Sequence, residues 1–459
     1  MSAQKRISWL VKELELTTHE LDETRNISFL RGKCLREHDL KRPDLVPYNL
    51  DDWEKKAIGK DGPEGLVGSA IRNLPLDLNQ GGVKLQGRDL YAKLQTSCAD
   101  GKPLYEWGFW NLLARHMSSE AYLFSRAVMG FDCLGDNANA VDLFMEYLDF
   151  AEGVEHFVID KGFESVPWEL RKRLEQLEGK RVIFLGQWLA GLDPIPPQDA
   201  GIGVQLRFRG APKPVTAAAV VLALPKRPLE LLLCESPVLK SAPGFSSLLN
   251  SVESVPLFKL FLLYPKAWWR ETGVCGGRSL TDLPLRQVWY WEPCSTSCDS
   301  RAMIMAYNDS SNVAFWGGLR PVGSEPPVLP GGCPDAPSRG EGKERLSQNW
   351  AMHRASKPML DEAHRQLLAV HGLDSGDGVP DPLEGAFMDW SDDPYGGAVH
   401  LWNQGWRSWD AVEKMISPIE KFPCYICGEA YSTNQTWVEG ALETADKVLR
   451  KFDIEEPAA

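Results

Sequence analysis

The chain has 459 residues, and 50 Lys and Arg set against 63 Asp and Glu give a formal charge of −13. Apolar residues make up 43% and charged residues 25%, as in an ordinary globular protein, and the length calls for two or three domains rather than one core. The acidic balance argues against nucleic acid as the main partner, because phosphate binding needs clustered Lys and Arg, and against an anionic membrane surface.

Met1–Leu10 carries Lys5 and Arg6 but no sustained apolar run, so it does not read as a signal peptide. Ile7–Leu16 has helical spacing. Asp51–Gly87 is polar and Gly-punctuated and predicts loops or short helices; helical spacing returns from Trp107 to Met129, after the Gly101-Lys102-Pro103 break. From about Phe163 the pattern changes. Val166-Pro-Trp-Glu-Leu predicts a helix with Pro in its first turn, followed by strands at Arg181–Leu185, Val204–Phe208 and Val215–Leu224. No apolar run reaches the ~18 residues that span a bilayer; Val215–Leu224 and Leu257–Tyr264 are strand-sized. Residues 323–348, rich in Pro, Gly and charge, predict a mobile loop or insertion, and Pro358–Val370 a helix. At the end come a buried-type strand, Pro423–Cys427, a turn at Gly428-Glu429-Ala430, and a helix from about Trp437 to Phe452. That helix carries Val438, Ala441, Leu442, Ala445, Val448, Leu449 and Phe452 on one face. Strands and helices in this sequence predict an α/β chain with added sheet structure.

The ten cysteines follow no framework spacing, and Cys424-Tyr-Ile-Cys427 is a lone CxxC, which reads as buried strand in a reducing, cytoplasmic setting. His116, His353, His364, His371 and His400 are spread without metal-ligand spacing. The 17 Trp suit a planar ligand, but a large core uses them equally well. No GxGxxG occurs; Gly201-Ile-Gly-Val opens no helix and reads as a turn. The helix start near Trp437 presents a positive dipole end suited to a phosphate or a polarised carbonyl. Lys259 interrupts the apolar Val255–Tyr264 run. It is either a buried ammonium in need of a partner or an edge-strand residue reaching solvent.

Several stretches together resemble the flavin amine oxidases. Tyr425-Ile-Cys-Gly-Glu-Ala-Tyr-Ser followed by Thr436-Trp-Val-Glu-Gly-Ala441 is similar to that family's C-terminal signature. Gly385–Trp402, with Asp389-Trp390, Asp393-Pro-Tyr395-Gly-Gly and His400-Leu-Trp402, is similar to the segment before it. Phe258-Lys259-Leu with Trp268-Trp269 resembles the strand carrying the family's flavin lysine. Gly276-Gly-Arg-Ser-Leu-Thr-Asp-Leu-Pro284 with Ala306-Tyr307, together with Tyr105–Leu113 and Val220–Pro225, resembles the L-amino-acid oxidase branch.

The resemblance implies an α/β fold with a Rossmann-like FAD domain, incomplete at its N-terminus, and a mixed-sheet substrate domain with a helical subdomain. The implied segments are 1–45 (start of the substrate or FAD-domain segment), 46–155 (helical subdomain) and 156–235 (FAD-domain middle). Residues 236–380 form the substrate domain and 381–459 the FAD-domain end. It implies non-covalent FAD, because Val399 stands where monoamine oxidases attach the cofactor through Cys. Lys259, Tyr307 and Trp437 are the implied catalytic residues. Gly428, Glu429, Trp390, Trp437, Val438 and Val182 are implied at the cofactor, and Tyr307, His400 and Trp437 at the substrate. The implied reaction moves a hydride from the α-carbon of an L-amino acid to the flavin, giving an imine that hydrolyses and, with O2, H2O2. The implied substrate is a small amino acid or amine, with no nucleic acid and no membrane involved, in an oligomeric enzyme.

The family's opening βαβ unit and its carboxylate-binding arginine have no counterpart here. The expectation is therefore a split enzyme, complemented by a small chain bearing GxGxxG. A truncated or non-catalytic subunit and an amino-acid monooxygenase are the competing expectations. Thr436 replaces the Gly usual before the cage Trp, which narrows the expected pocket.

Overall fold

The computed structural model describes residues 4–74, 76–80, 83–133, 136–149, 155–180, 182–195, 203–292, 301–320, 353–392 and 396–454. The 323–348 segment, Asp393-Pro-Tyr395 and Gly201-Ile202 lie outside the described residues.

The strands that position the site are β1 (Arg25–Leu30), β2 (Lys33–Arg36), β3 (Val220–Ala223), β4 (Val252–Val255), β5 (Leu257–Tyr264), β6 (Arg278–Thr281), β7 (Gln287–Trp291), β8 (Ala302–Asp309), β9 (Glu384–Asp389), β10 (Val399–Trp402) and β11 (Cys424–Cys427). Seven of them form a mixed sheet in the order β9-β5-β8-β7-β6-β1-β2, antiparallel throughout except where β6 runs parallel to β1. Alternation decides which side chains go where. Phe258, Leu260, Leu262 and Tyr264 of β5 are fully buried on one face, under the helix Lys357–Val370, while Lys259, Phe261 and Leu263 are half-buried on the other. Ser356 caps that helix, accepting the Met359 N–H, and Pro358 sits in its first turn, as the sequence predicts.

A second core is helical. Asp52–Asp61, Glu64–Asn73, Gly87–Thr96, Phe109–Ala114, Ser119–Met129 and Ala140–Asp149 bury Leu66, Leu94, Leu112, Phe124, Val141 and Phe144 among themselves. The single helix expected over Trp107–Met129 is two. Ser118 accepts the Ala121 N–H and so starts a new helix, and the fully buried Glu54 carboxylate takes the Ser118 N–H at 2.6 Å and its hydroxyl at 2.9 Å. A third core joins the antiparallel set Leu189–Pro194, Val204–Phe208 and Val215–Ala217 to the parallel pair β3–β11 and to β4–β10.

Three sequence expectations change here. Val215–Leu224 divides into two strands, one on the antiparallel set and one (β3) beside β11. The segment around Val182 is not a strand: residues 182–184 belong to none of the described sheets, and Phe184 is 66% exposed. The closing helix (Val438–Arg450) buries its polar face. Glu439, Gly440, Glu443, Thr444 and Val448 are inside, while Val438 and Phe452 are exposed and the other apolar positions half-buried.

Hydrogen bonds explain that inversion. Glu439 takes the main-chain N–H groups of Arg6 and Ile7, Glu443 takes the Thr433 hydroxyl and Asn434 amide, and Thr444 staples both polar groups of Gly428.

Candidate functional site

Lys259 is not on an edge. β5 is paired on both sides, with Lys259 opposite Tyr307 of β8 and Met388 of β9. Its ammonium lies 5.8 Å from the Tyr307 ring and 5.8 Å from the Trp390 ring, within reach of both π faces. No carboxylate among the described residues pairs with it, and burial alone holds its pKa below the usual lysine value. The strand register brings Lys259, Tyr307 and Trp390, far apart in sequence, onto one half-buried face. Phe131 packs edge-on against Tyr307, and burial pushes the Tyr307 hydroxyl well up.

The C-terminal signature builds the second part. β11 ends at Gly428, whose φ of +144° is open to glycine and little else; Glu429 follows in a short 3-10 turn. Glu429 accepts the His400 N–H at 2.9 Å, the Thr436 N–H at 2.7 Å, and meets His400 Nδ1 at 2.8 Å. These bonds tie β10 to the turn that delivers the closing helix. His400 is 1% exposed, and its buried Nε2 has no hydrogen-bond partner among the described residues. Thr436, where the resemblance expects Gly, has φ +70°, a left-handed conformation that a β-branched residue rarely takes. Trp437 then stands at the N-cap without a side-chain cap, leaving the positive end of a 13-residue helix open, with Val438 exposed beside it. Val182 lies outside any described strand, half-buried.

The structure adds a residue that sequence reasoning missed. Glu146, on the Ala140–Asp149 helix, has its pKa raised to about 7 by burial, which outweighs the lowering influence of the nearby Trp437 and Thr436 side chains. Its charge adds to the raised Tyr307 hydroxyl, after burial, Asp309 and Cys133. One turn earlier, Asp142 accepts the Ser408 hydroxyl at 2.8 Å and the Tyr91 hydroxyl at 3.4 Å, and burial raises it too to about 7. Both acids line a cavity of about 640 Å³ with Tyr91, Trp402, Trp409 and Trp437. Lys259, Tyr307 and Trp390 lie outside that lining, on the sheet face. The only sequence signal for Glu146 is its i, i+4 relation to Asp142.

Among the described residues no group of three His, Cys, Asp or Glu could hold a metal, and no helix is long and apolar enough to cross a membrane. An uncapped helix start, a lone ammonium and the Trp390 ring suit the ring end of a flat group that gains negative charge on reduction. No described glycine loop offers a matching cradle for a dinucleotide's phosphates.

Comparison with known proteins gives a consistent picture. The family model described as flavin containing amine oxidoreductase matches residues 102–310. Aplysianin-A of Aplysia kurodai is 27% identical over 444 residues, covering 92% of this chain and 73% of the relative. Achacin of Lissachatina fulica is 24% identical, covering 96% and 80%. An L-amino acid oxidase of Bothriechis schlegelii is 34% identical over 106 residues, 23% of this chain and 20% of its own. Among solved structures, a putrescine oxidase variant superposes with a TM-score of 0.62 at 14% identity, covering 98% of this chain and 85% of that one. The fold is shared.

Proposed function

We propose that this chain, whose residues 102–310 match the model of the flavin containing amine oxidoreductases, catalyses oxidative deamination of an L-amino acid. The cofactor is FAD, bound without a covalent link, and when bound it supplies the hydride acceptor. The observation that carries this reading is Lys259, a half-buried ammonium with no carboxylate, held between Tyr307 and Trp390 in an interior strand. A purely structural strand gains nothing from that arrangement.

In this reading Trp390 packs on the ring system, and the open N-terminus of the Val438–Arg450 helix stabilises negative charge beside Trp437. Lys259 holds a water at the reacting edge. Tyr307 offers its hydroxyl to the substrate carboxylate, and burial keeps that hydroxyl protonated and donating. Gly428 and Glu429 fix the contact turn through His400, which Glu429 holds by its N–H and Nδ1 on the substrate side with Tyr307 and Trp437. Residues of the 46–155 helical segment and of the 381–459 segment, which carries the helix start, line the cavity together.

The dinucleotide end of FAD, we propose further, is held by a GxGxxG-bearing βαβ unit supplied from outside these 459 residues, as a small companion chain. Exposed apolar surface supports this. β3–β11 is a parallel pair with no further described strand beside it. Val221 of β3 is exposed, as are Val438 and Phe452 on and just after the closing helix, which packs against β11. The described cysteines are unpaired, which favours the cytoplasmic setting.

The test is reconstitution. Co-purified with such a βαβ chain, the protein should be yellow and release H2O2 with L-amino acids; a colourless, flavin-free assembly overturns the reading.

A further inference from the structure

Arg278 is a second cation on the Lys259 face with no acid of its own. β6 sets it opposite Trp289 of β7, Trp289 stands opposite Met305 of β8, and Met305 is two residues from Tyr307 on the same side. The half-buried face that carries Lys259 and Tyr307 therefore runs on through Met305 and Trp289 to Arg278. The opposite face, with Ser279, Val288, Ile304 and Leu260, is fully buried. At about 4.8 Å per strand and about 3.4 Å per residue, the α-carbons of Arg278 and Tyr307 lie about 12 Å apart.

The Arg278 guanidinium lies 5.3 Å from the centre of the Trp289 ring, and its Nε is buried with no hydrogen-bond partner. The acids around it are engaged: Glu64 pairs with Arg25, the register partner of Arg278 on β1, and Glu23 pairs with His156. Burial, and after it the Arg25 charge, hold the Arg278 pKa below the usual arginine value, and Glu23 and Glu64 offset this only in part. A desolvated, unpaired guanidinium is costly, and a methionine would cover Trp289 without that cost. What the guanidinium adds is a planar fork of donors on an aromatic plate, the shape that receives a carboxylate through two parallel hydrogen bonds. In a chain of charge −13 it also reverses the local sign of the field for a small anion.

We propose that Arg278, laid on the Trp289 ring, is a carboxylate subsite, which captures a small organic acid on the sheet face that leads to Tyr307 and Lys259. The subsite stands on this geometry alone. The proposed activity adds only which acids are at hand, the incoming amino acid and the departing 2-oxo acid, both of which carry the carboxylate.

The experiment compares 4-methylpentanoate with its amide, which shares its shape and lacks its charge. Calorimetric titration of the full chain should show the carboxylate binding about tenfold tighter or more, with the preference shrinking as salt is raised. Arg278→Met should bring the two ligands within about threefold and leave the urea midpoint of unfolding unchanged, whereas Arg278→Lys, which keeps the charge, should keep the carboxylate ahead. Arg278→Gln repeats the test if the Met variant folds poorly. Equal binding of carboxylate and amide by the unaltered chain overturns the proposal, as does a preference that survives the loss of the guanidinium. Titration of L-leucine and of 4-methyl-2-oxopentanoate against both proteins then separates the two sources: the acid served is the one whose affinity falls with Arg278→Met, and a fall for neither overturns the proposal. Arg278-dependent carboxylate binding in an assembly that oxidises no L-amino acid would instead remove the proposed activity and leave the subsite in place.

Discussion

The stability of the protein should fall between pH 4.5 and 7, and Glu146→Gln should remove part of that fall. In the unfolded chain Glu146 loses its proton near its ordinary 4.5, whereas in the fold it keeps it until about 7. Below pH 4.5 both states are protonated and the group is neutral toward stability. As pH rises, unfolding releases a proton and is favoured, until above 7 the folded carboxyl also ionises and the loss levels off. At about 1.4 kcal/mol per pH unit, that window is worth about 3 kcal/mol for Glu146. By the same reasoning Asp142, raised from 3.8 to about 7, contributes about 4 kcal/mol. Against a typical total of about 5–15 kcal/mol these are large fractions.

Urea unfolding of the native chain and of Glu146→Gln at pH 5 and pH 8 isolates the group, because all other carboxylates titrate in both proteins. The variant should match the native chain at pH 5 to within about 1 kcal/mol and exceed it by about 3 kcal/mol at pH 8. A difference that does not change between the two pH values would refute the reasoning, and with it the picture of a desolvated, cation-free acid.

Two further outcomes follow from the site and from the clamp beneath it. Lys259→Met should leave FAD bound in the assembled enzyme but slow flavin reduction or reoxidation at least tenfold in stopped-flow absorbance; unchanged rates would remove Lys259 from the chemistry. Arg286, 3% exposed, donates to Asp132 at 2.9 Å and to the Arg126 carbonyl at 3.0 Å, joining the sheet to the helical layer. Arg286→Met leaves Asp132 buried without its main cation, and should lower the urea-unfolding free energy by about 3–5 kcal/mol.

What the sequence made legible divides by range of interaction. The β11 strand, the Glu429 turn and the closing helix are local patterns and are found where their residues predict. Lys259 was conspicuous because one cation in an apolar run breaks a local rule, but only the register of β5 with β8 and β9 puts it beside Tyr307 and away from any edge. Val182, expected in a strand, belongs to none of the described sheets. The buried face of the closing helix was misread from its local pattern. Its apolar stripe is mostly half-buried, while Glu439, Glu443 and Thr444 are inside because of partners at Arg6, Thr433 and Gly428. Glu146 was invisible: an acid in an amphipathic helix is unremarkable until Thr436 and Trp437, from near the other end of the chain, close over it.

The contact between Arg6 and Glu439 spans 433 positions. During synthesis at about 5–20 residues per second, the leading helix waits roughly 20–90 s before the residue it docks against exists. Throughout that interval the main-chain N–H groups of Arg6 and Ile7 and the Arg6 guanidinium lack the acceptors that anchor them in the finished fold. The helical layer and the seven-stranded sheet, whose pairings lie within residues 25–389, can consolidate first. Closure at Trp437 must then follow synthesis of the Val438–Arg450 helix, so a ribosome stalled before residue 439 should leave a structured body without that end of the site.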